Sequence, residues 1–338
     1  MSDTSPLLAA QEKFAAAVPL RIVAAETVTL PDALGRTLFA DVTAPTDLPE
    51  YHRAIVEGFV VHTDDTRAAS ETAPVSFDIV GAVKPGDAQC PPFARGQAVE
   101  VATGSVLPGG AYSVVRMWEA KRDGDRFTIS RPFPPRFFIE DQGCDLQQGS
   151  VVAAAGKLLE PLDLGNLAAL GIAKLSVARA PRVTMYSCGD EVIPFEQAMR
   201  PGLIRDSNSV MLSAAVRAAG GEPLAGGILR DDFDAFVQTA LRALAHSEML
   251  LISGGTAAGG RDFISDMVRA LGDLLVDGVP MRSGRPLIMG VAQGKPIVCV
   301  AGHPPEALRG FNLFGVAALN RLLGRSAPLP LDAPPPAQ

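Results

Sequence analysis

The sequence predicts a multidomain α/β protein: a β-rich section, then an α/β section built on a mostly parallel sheet with helices on both faces. Three observations carry this. The chain has 338 residues, and at about 100–200 residues per domain that means two or three domains. From Tyr51 to Phe138, short β-branched runs sit between Gly, Pro and Asp clusters. Beyond Arg182, apolar strand-like runs alternate with segments of helical period, the pattern of a sheet whose crossovers are helices.

Taken in order, Leu7–Val18 has apolar Leu7, Leu8, Phe14 and Val18 near helical spacing. Leu20–Leu30 alternates like a strand, and residues 31–35 open a short helical segment. Two prolines in 44–49 mark a boundary. Val56–His62, Val75–Val83, Ala98–Val101, Ser113–Trp118 and Arg126–Ser130 read as strands, and the prolines of 132–138 as the exit from this part. Leu158–Leu170 reads as a helix and Ile172–Val177 as a strand. The α/β section follows: strands at 182–187, 224–229, 249–252 and 296–300, helices at 208–219, 232–245 and 262–271. Ala327–Gln338, with five prolines in twelve residues, reads as a loose tail.

Composition excludes several classes. A net charge of −7 is unlike a dedicated nucleic-acid binder, which needs a basic surface to displace counterions. No run of about 18 apolar residues exists, so no membrane span is expected. The N-terminus has neither a basic n-region nor a long apolar h-region. Cys90, Cys144, Cys188 and Cys299 are far apart with no CxxC spacing. Reduced thiols and a cytoplasmic location are therefore expected.

In an open parallel sheet, ligands sit beyond the carboxyl ends of strands. Three such junctions carry glycine and polar clusters: Tyr186–Glu191, Leu251–Asp262 and Cys299–Pro304. Glycines let backbone N–H groups approach an anion, and helix N-termini favour it. Ser253, Gly254, Gly255 and Gly259 form neither a GxGxxG nor a Walker A loop. Arg282 and Arg285 flank a Ser-Gly turn, as an oxyanion clamp or as solvated surface arginines. Asp190, Glu191, Asp231, Asp232 and Asp262 recur beside the same loops, and carboxylates near phosphates imply a hard cation such as Mg²⁺. Taken alone, Asp232 reads better as a helix cap. His303 lies in a Gly–Pro loop, where structural histidines outnumber catalytic ones. Glu57, before Gly58, is either an edge-strand charge or a placed carboxylate. Thr103 with Gly104 reads equally as a simple turn.

The order of these motifs resembles the molybdopterin molybdenumtransferase family, which includes MoeA and the E domain of gephyrin. Leu30–Asp41, Asp47–Pro49, Glu57–Val61, Thr103–Pro108, Gly143–Asp145 and Leu167–Gly171 follow the family pattern in the first half. Ser187–Glu191, Ile204–Asn208, Arg230–Asp232, Ser253–Asp262, Met281–Pro286 and Gly302–Pro304 follow it in the second.

The resemblance implies a linking domain (1–45 and 143–178), a β-rich domain (46–142), an α/β molybdopterin-binding domain (179–326) and the tail 327–338. It implies molybdenum cofactor biosynthesis: adenylylated molybdopterin and molybdate are converted, with Mg²⁺, to molybdenum cofactor and AMP. A homodimer is implied, as is exchange with a molybdopterin adenylyltransferase or a recipient molybdoenzyme. By position, Glu57, Glu191, Asp231 and Asp262 match the family's acidic site residues, the last three as metal ligands. Thr103, Ser253, Gly254, Gly255, Gly259, Arg282, Arg285, Gly302 and His303 match substrate-binding positions.

Several positions depart from the pattern. Glu57 replaces aspartate, Ala257 a serine, Arg282 and Arg285 lysines, Tyr112 an aspartate, Cys144 a glutamate and His303 an asparagine. The family's C-terminal β domain is not expected in a chain whose pattern ends near Gly324. These departures set up an alternative: a non-catalytic carrier or chaperone for molybdopterin or the finished cofactor.

Overall fold

The computed structural model describes residues 6–329, apart from 231, 256–260, 280–283 and 285 and the side chains of 261 and 262. The chain forms two compact units. One comprises Asp41–Ala153 and Gly165–Ile172; the other comprises Met1–Ala40, Ala154–Leu164 and Ala173–Gln338.

The first unit holds a six-stranded sheet of β1 (Gly58–His62), β2 (Val75–Val83), β3 (Gln97–Val101), β4 (Tyr112–Arg116), β5 (Lys121–Asp123) and β6 (Arg126–Ile129). Their spatial order is β4-β1-β3-β2-β6-β5, antiparallel except for the β2–β3 pair. Alternate residues of β1 serve two cores, as the period of two requires. Phe59 and Val61 pack with Phe77, Phe127 and Ile129, while Val60 packs with Val99, Val101 and Val114. A side chain at Gly58 would stand 1.9 Å from the Val115 carbonyl oxygen, so only glycine lets β1 lie this close to β4.

The second unit contains the α/β sheet: β7 (Arg182–Cys188), β8 (Glu222–Leu229), β9 (Met249–Gly254), β10 (Asp273–Asp277), β11 (Ile288–Ala292) and β12 (Lys295–Val300). The order is β8-β7-β9-β12-β11-β10. The first four run parallel, and β11 and β10 close the edge antiparallel. Every residue of β9 is buried, which is why its sequence is a continuous apolar run ending in Ser253 and Gly254.

Its helices are α1 (Pro6–Ala17), the start of α2 (Pro161–Ala169), α3 (Ser207–Ala218), α4 (Phe233–His246), α5 (Arg261–Leu271), α6 (Pro304–Gly310) and α7 (Val316–Leu322). One sheet face, through Met249, Leu251 and Val298, meets Phe14, Leu212, Val216, Phe311 and Phe314. The other, through Leu250, Ile252 and Ile297, meets Phe236, Ala240, Leu244, Ile264 and Met267. Helices therefore cover both faces, as the alternating pattern requires. Asp232 caps α4 by accepting the Ala235 N–H at 3.1 Å. Strands β10 and β11 and the helical stretch 304–322 carry no clear period in the sequence and emerge only in the fold. Among the described residues no helix is long and apolar enough to cross a membrane.

In the β-rich unit, Glu119 accepts from Arg116 at 2.7 Å and also pairs with Arg131. The Arg116 hydrogen bond, with Arg131 beside it, holds the Glu119 carboxyl below the usual glutamate range. A lowered folded pKa adds stability that is present above the unfolded value of about 4.3 and lost as pH falls through the folded one. Melting curves recorded downward from neutral pH should therefore fall more steeply for wild type than for Glu119→Gln; parallel curves would contradict this. In the α/β unit, Ile252 is fully buried. Ile252→Ala should lower the unfolding free energy in urea by about 2–5 kcal/mol through lost burial and a residual cavity.

Candidate active site

Strands β7, β9 and β12 are neighbours, so the three glycine-bearing junctions meet at one edge of the sheet. Beyond their carboxyl ends lies a cavity of about 540 Å³. Its polar walls include Ser187, Glu191, Asp206, Asn208, Ser253 and His303.

Register sets the floor. Ser187 pairs with Ser253, Cys188 with Gly254, and Ser253 with Val300. At Gly254 the chain leaves β9 with φ +89°, and a side chain there would stand 2.6 Å from the Cys188 carbonyl oxygen. Only glycine makes this turn. Gly255 follows at φ +67°, where a side chain would press on Ile264. Gly302 approaches the same turn: a Cβ on it would be 3.5 Å from Gly254 Cα, so the two loops touch.

The first turn of α3 ties these ends together. Ser187 Oγ donates to Asp206 Oδ1 at 2.8 Å, and the same oxygen accepts the Ser209 N–H at 3.0 Å, capping the helix. Asn208 Nδ2 donates to Ser253 Oγ at 2.6 Å and to the Gly302 carbonyl at 2.7 Å. Asp206, Asn208, Ser187 and Ser253 are all buried. The sequence assigned no role to the first three. An aspartate and an asparagine at the head of an amphipathic helix are the sequence signal that could have marked two of them.

Glu191 enters the cavity from the β7 junction. Gly189 has φ +138°, and the Glu191 carboxylate folds into the space a side chain there would take, 2.4 Å from the ideal Cβ position. Arg230 braces this turn by donating to the Gly189 carbonyl at 3.2 Å and the Asp190 carbonyl at 2.5 Å. His303 lines the cavity and is exposed; its carbonyl accepts the Ala307 N–H at 2.9 Å and starts α6.

The structure thus gathers Glu191, Ser253, Gly254, Gly255, Gly302 and His303 around one cavity. Asp231, Gly259, Arg282 and Arg285 lie outside the described residues, as does the side chain of Asp262. Glu57 and Thr103 belong to the β-rich unit. Gly58 pairs with Val101, so Glu57 and Thr103 lie at the same end of the β1–β3 pair. Both are exposed. Thr103 sits in a turn in which Gly104 (φ +87°) donates its N–H to the Ala54 carbonyl at 2.7 Å.

Of the three carboxylates expected to bind metal, Glu191 is the one whose side chain is described. An all-carboxylate set suits a hard cation such as Mg²⁺. Among the described residues, the trio that brings metal-ligating atoms within 4.8 Å of one another is Glu140, Cys144 and Asp145 in the β-rich unit. Arg53 already pairs with Glu140 there.

Comparison with known proteins gives two family matches along the chain. Residues 6–171 match the MoeA N-terminal region (domain I and II), and residues 184–321 match a probable molybdopterin binding domain. A molybdopterin molybdenumtransferase of Nostoc sp. is 30% identical over 303 residues, covering 88% of this chain and 70% of that protein. One of Staphylococcus epidermidis is 26% identical over 304 residues, covering 90% and 73%. The solved molybdopterin biosynthesis MoeA protein of Pyrococcus horikoshii superposes with a TM-score of 0.81 at 30% identity, over 95% of this chain and 80% of that one. A chain with both domain matches, this identity and this superposition belongs to the molybdopterin molybdenumtransferase (MoeA) family.

Proposed function

We propose that this protein is a molybdopterin molybdenumtransferase, acting in molybdenum cofactor biosynthesis on adenylylated molybdopterin and molybdate. The observation that carries this reading is the cavity at three adjacent strand ends, where a glycine turn, two serines and the Glu191 carboxylate converge. The reaction cleaves a phosphoanhydride: water breaks one P–O bond of the P–O–P link, leaving AMP and the pterin phosphate, while the two dithiolene thiols replace a molybdate oxygen, which departs as water with their protons.

Each group has a task that follows from its chemistry. Glu191, with Asp231 and Asp262, would hold Mg²⁺; the ion supplies charge neutralisation at the phosphates when bound. Arg230 keeps the Glu191 turn in place through two carbonyls. The Gly254–Gly255 turn and Gly302 admit an anion close to the backbone. Arg282 and Arg285, as bidentate donors, suit molybdate or phosphate oxygens. His303 lies at the rim, where it can hydrogen-bond substrate. Glu57 and Thr103 complete the proposed set, and the homodimer belongs to the same proposal. Nothing observed favours a carrier without catalysis.

Purified protein given adenylylated molybdopterin, molybdate and Mg²⁺ should release AMP, and chelation should stop it. Glu191→Gln should lower kcat by roughly 100-fold through lost charge stabilisation. Because Glu191 is exposed, its Tm should stay near wild type. Tight binding of adenylylated molybdopterin with no AMP release would overturn the transferase reading in favour of a carrier.

A further inference from the structure

Two serines lie side by side on the cavity floor, Ser187 on β7 and Ser253 on β9, directly paired in register. Their hydrogen bonds have opposite polarity. Ser187 gives its proton to Asp206 at 2.8 Å and turns only lone pairs outward. Ser253 Oγ instead accepts from Asn208 at 2.6 Å. Among the described residues no acceptor takes the Ser253 proton, and Ser253 lines the cavity.

The orientation of the Asn208 amide follows from its partners. The Gly302 carbonyl only accepts, so the NH₂ group must face it, and that same group faces Ser253 at the same time. Flipping the amide would oppose two oxygens. Asn208 is only 7% exposed, and its Oδ1 is buried with no partner. Leaving a buried acceptor unsatisfied is costly. A helix designed for stability alone would not place it there; the arrangement makes sense if the two amide protons are needed where they are.

We propose that Asn208 is a positioning residue that makes the Ser253 hydroxyl a hydrogen-bond donor to a tetrahedral oxyanion of the substrate. By holding a Ser253 lone pair and the Gly302 carbonyl together, Asn208 aims the free O–H into the cavity and keeps the two glycine loops in contact. Ser187, locked as an acceptor, offers nothing to an oxyanion, so the floor discriminates along its length. The oxyanion is either a phosphate of adenylylated molybdopterin or molybdate itself; the chemistry recognised is the same. The inference rests on the transferase reading of this cavity.

The test is a double-mutant cycle of Asn208→Ala and Ser253→Ala, reading kcat, KM for each substrate and Tm. Asn208→Asp serves as a near-isosteric second variant that replaces the donor with an oxygen facing Gly302. Each single change should lower kcat/KM by roughly 10–100-fold, the loss expected for one hydrogen bond to a charged group. The double variant should fall no further than Ser253→Ala, because Asn208 acts through Ser253. Asn208→Asp should fall at least as far as Asn208→Ala. The substrate whose KM rises names the oxyanion. Independent losses that multiply in the double variant would overturn the proposal. So would an Asn208 effect confined to Tm with unchanged kcat/KM. Wild-type kinetics in Ser253→Ala would instead overturn the anion-site reading beneath it.

Discussion

One turn of helix holds the carboxyl ends of three parallel strands. Asp206 takes the Ser187 hydroxyl of β7, and Asn208 reaches both Ser253 of β9 and Gly302 after β12. Strand ends in such a sheet are otherwise free to follow their loops. Here four buried polar side chains set their spacing, and the low dielectric around them strengthens each bond. The cavity depends on that spacing. The sheet aligns the strands, the apolar faces of α3 and α4 fix the helices, and the Asp206–Asn208 turn converts alignment into a site.

Electrostatics shape what the site can accept. The described part of the cavity carries two carboxylates, Glu191 and Asp206, against one arginine, Arg205. A phosphate or molybdate entering such a wall is repelled unless cations offset it. Under the proposed function, that offset is the task assigned to a metal on Glu191 and to the arginines at 282 and 285. Asp206 is already engaged, since one of its oxygens accepts two hydrogen bonds within the protein. Glu191, folded over Gly189 on a turn braced by Arg230, is the carboxylate left available among the described residues.

Much of this was legible from the amino acids. Continuous apolar runs such as Met249–Ile252 marked buried parallel strands, and the helical period of 232–245 marked an amphipathic partner. Gly254 and Gly255 were visible as a turn, and the structure supplies the reason: a positive φ and the carbonyl of Cys188 leave no room for a side chain. The edge strand β10 and its neighbour β11 were not legible. Asp273 and Asp277 bracket a short run of three apolar residues, and pairing with β11, a tertiary contact, makes it a strand. Nor was the role of Asn208, which falls at the start of the helix read at 208–219 with no pattern of its own to single it out. Its buried, doubly donating amide is a property of three-dimensional neighbours.

Anomalous scattering at the molybdenum edge, from crystals soaked in molybdate with AMP and Mg²⁺, tests the central claim most directly. The account predicts a peak in the cavity beyond β7, β9 and β12, beside the Gly254–Gly255 turn. A peak in the β-rich unit alone, or none in this cavity while the protein still releases AMP, would contradict it.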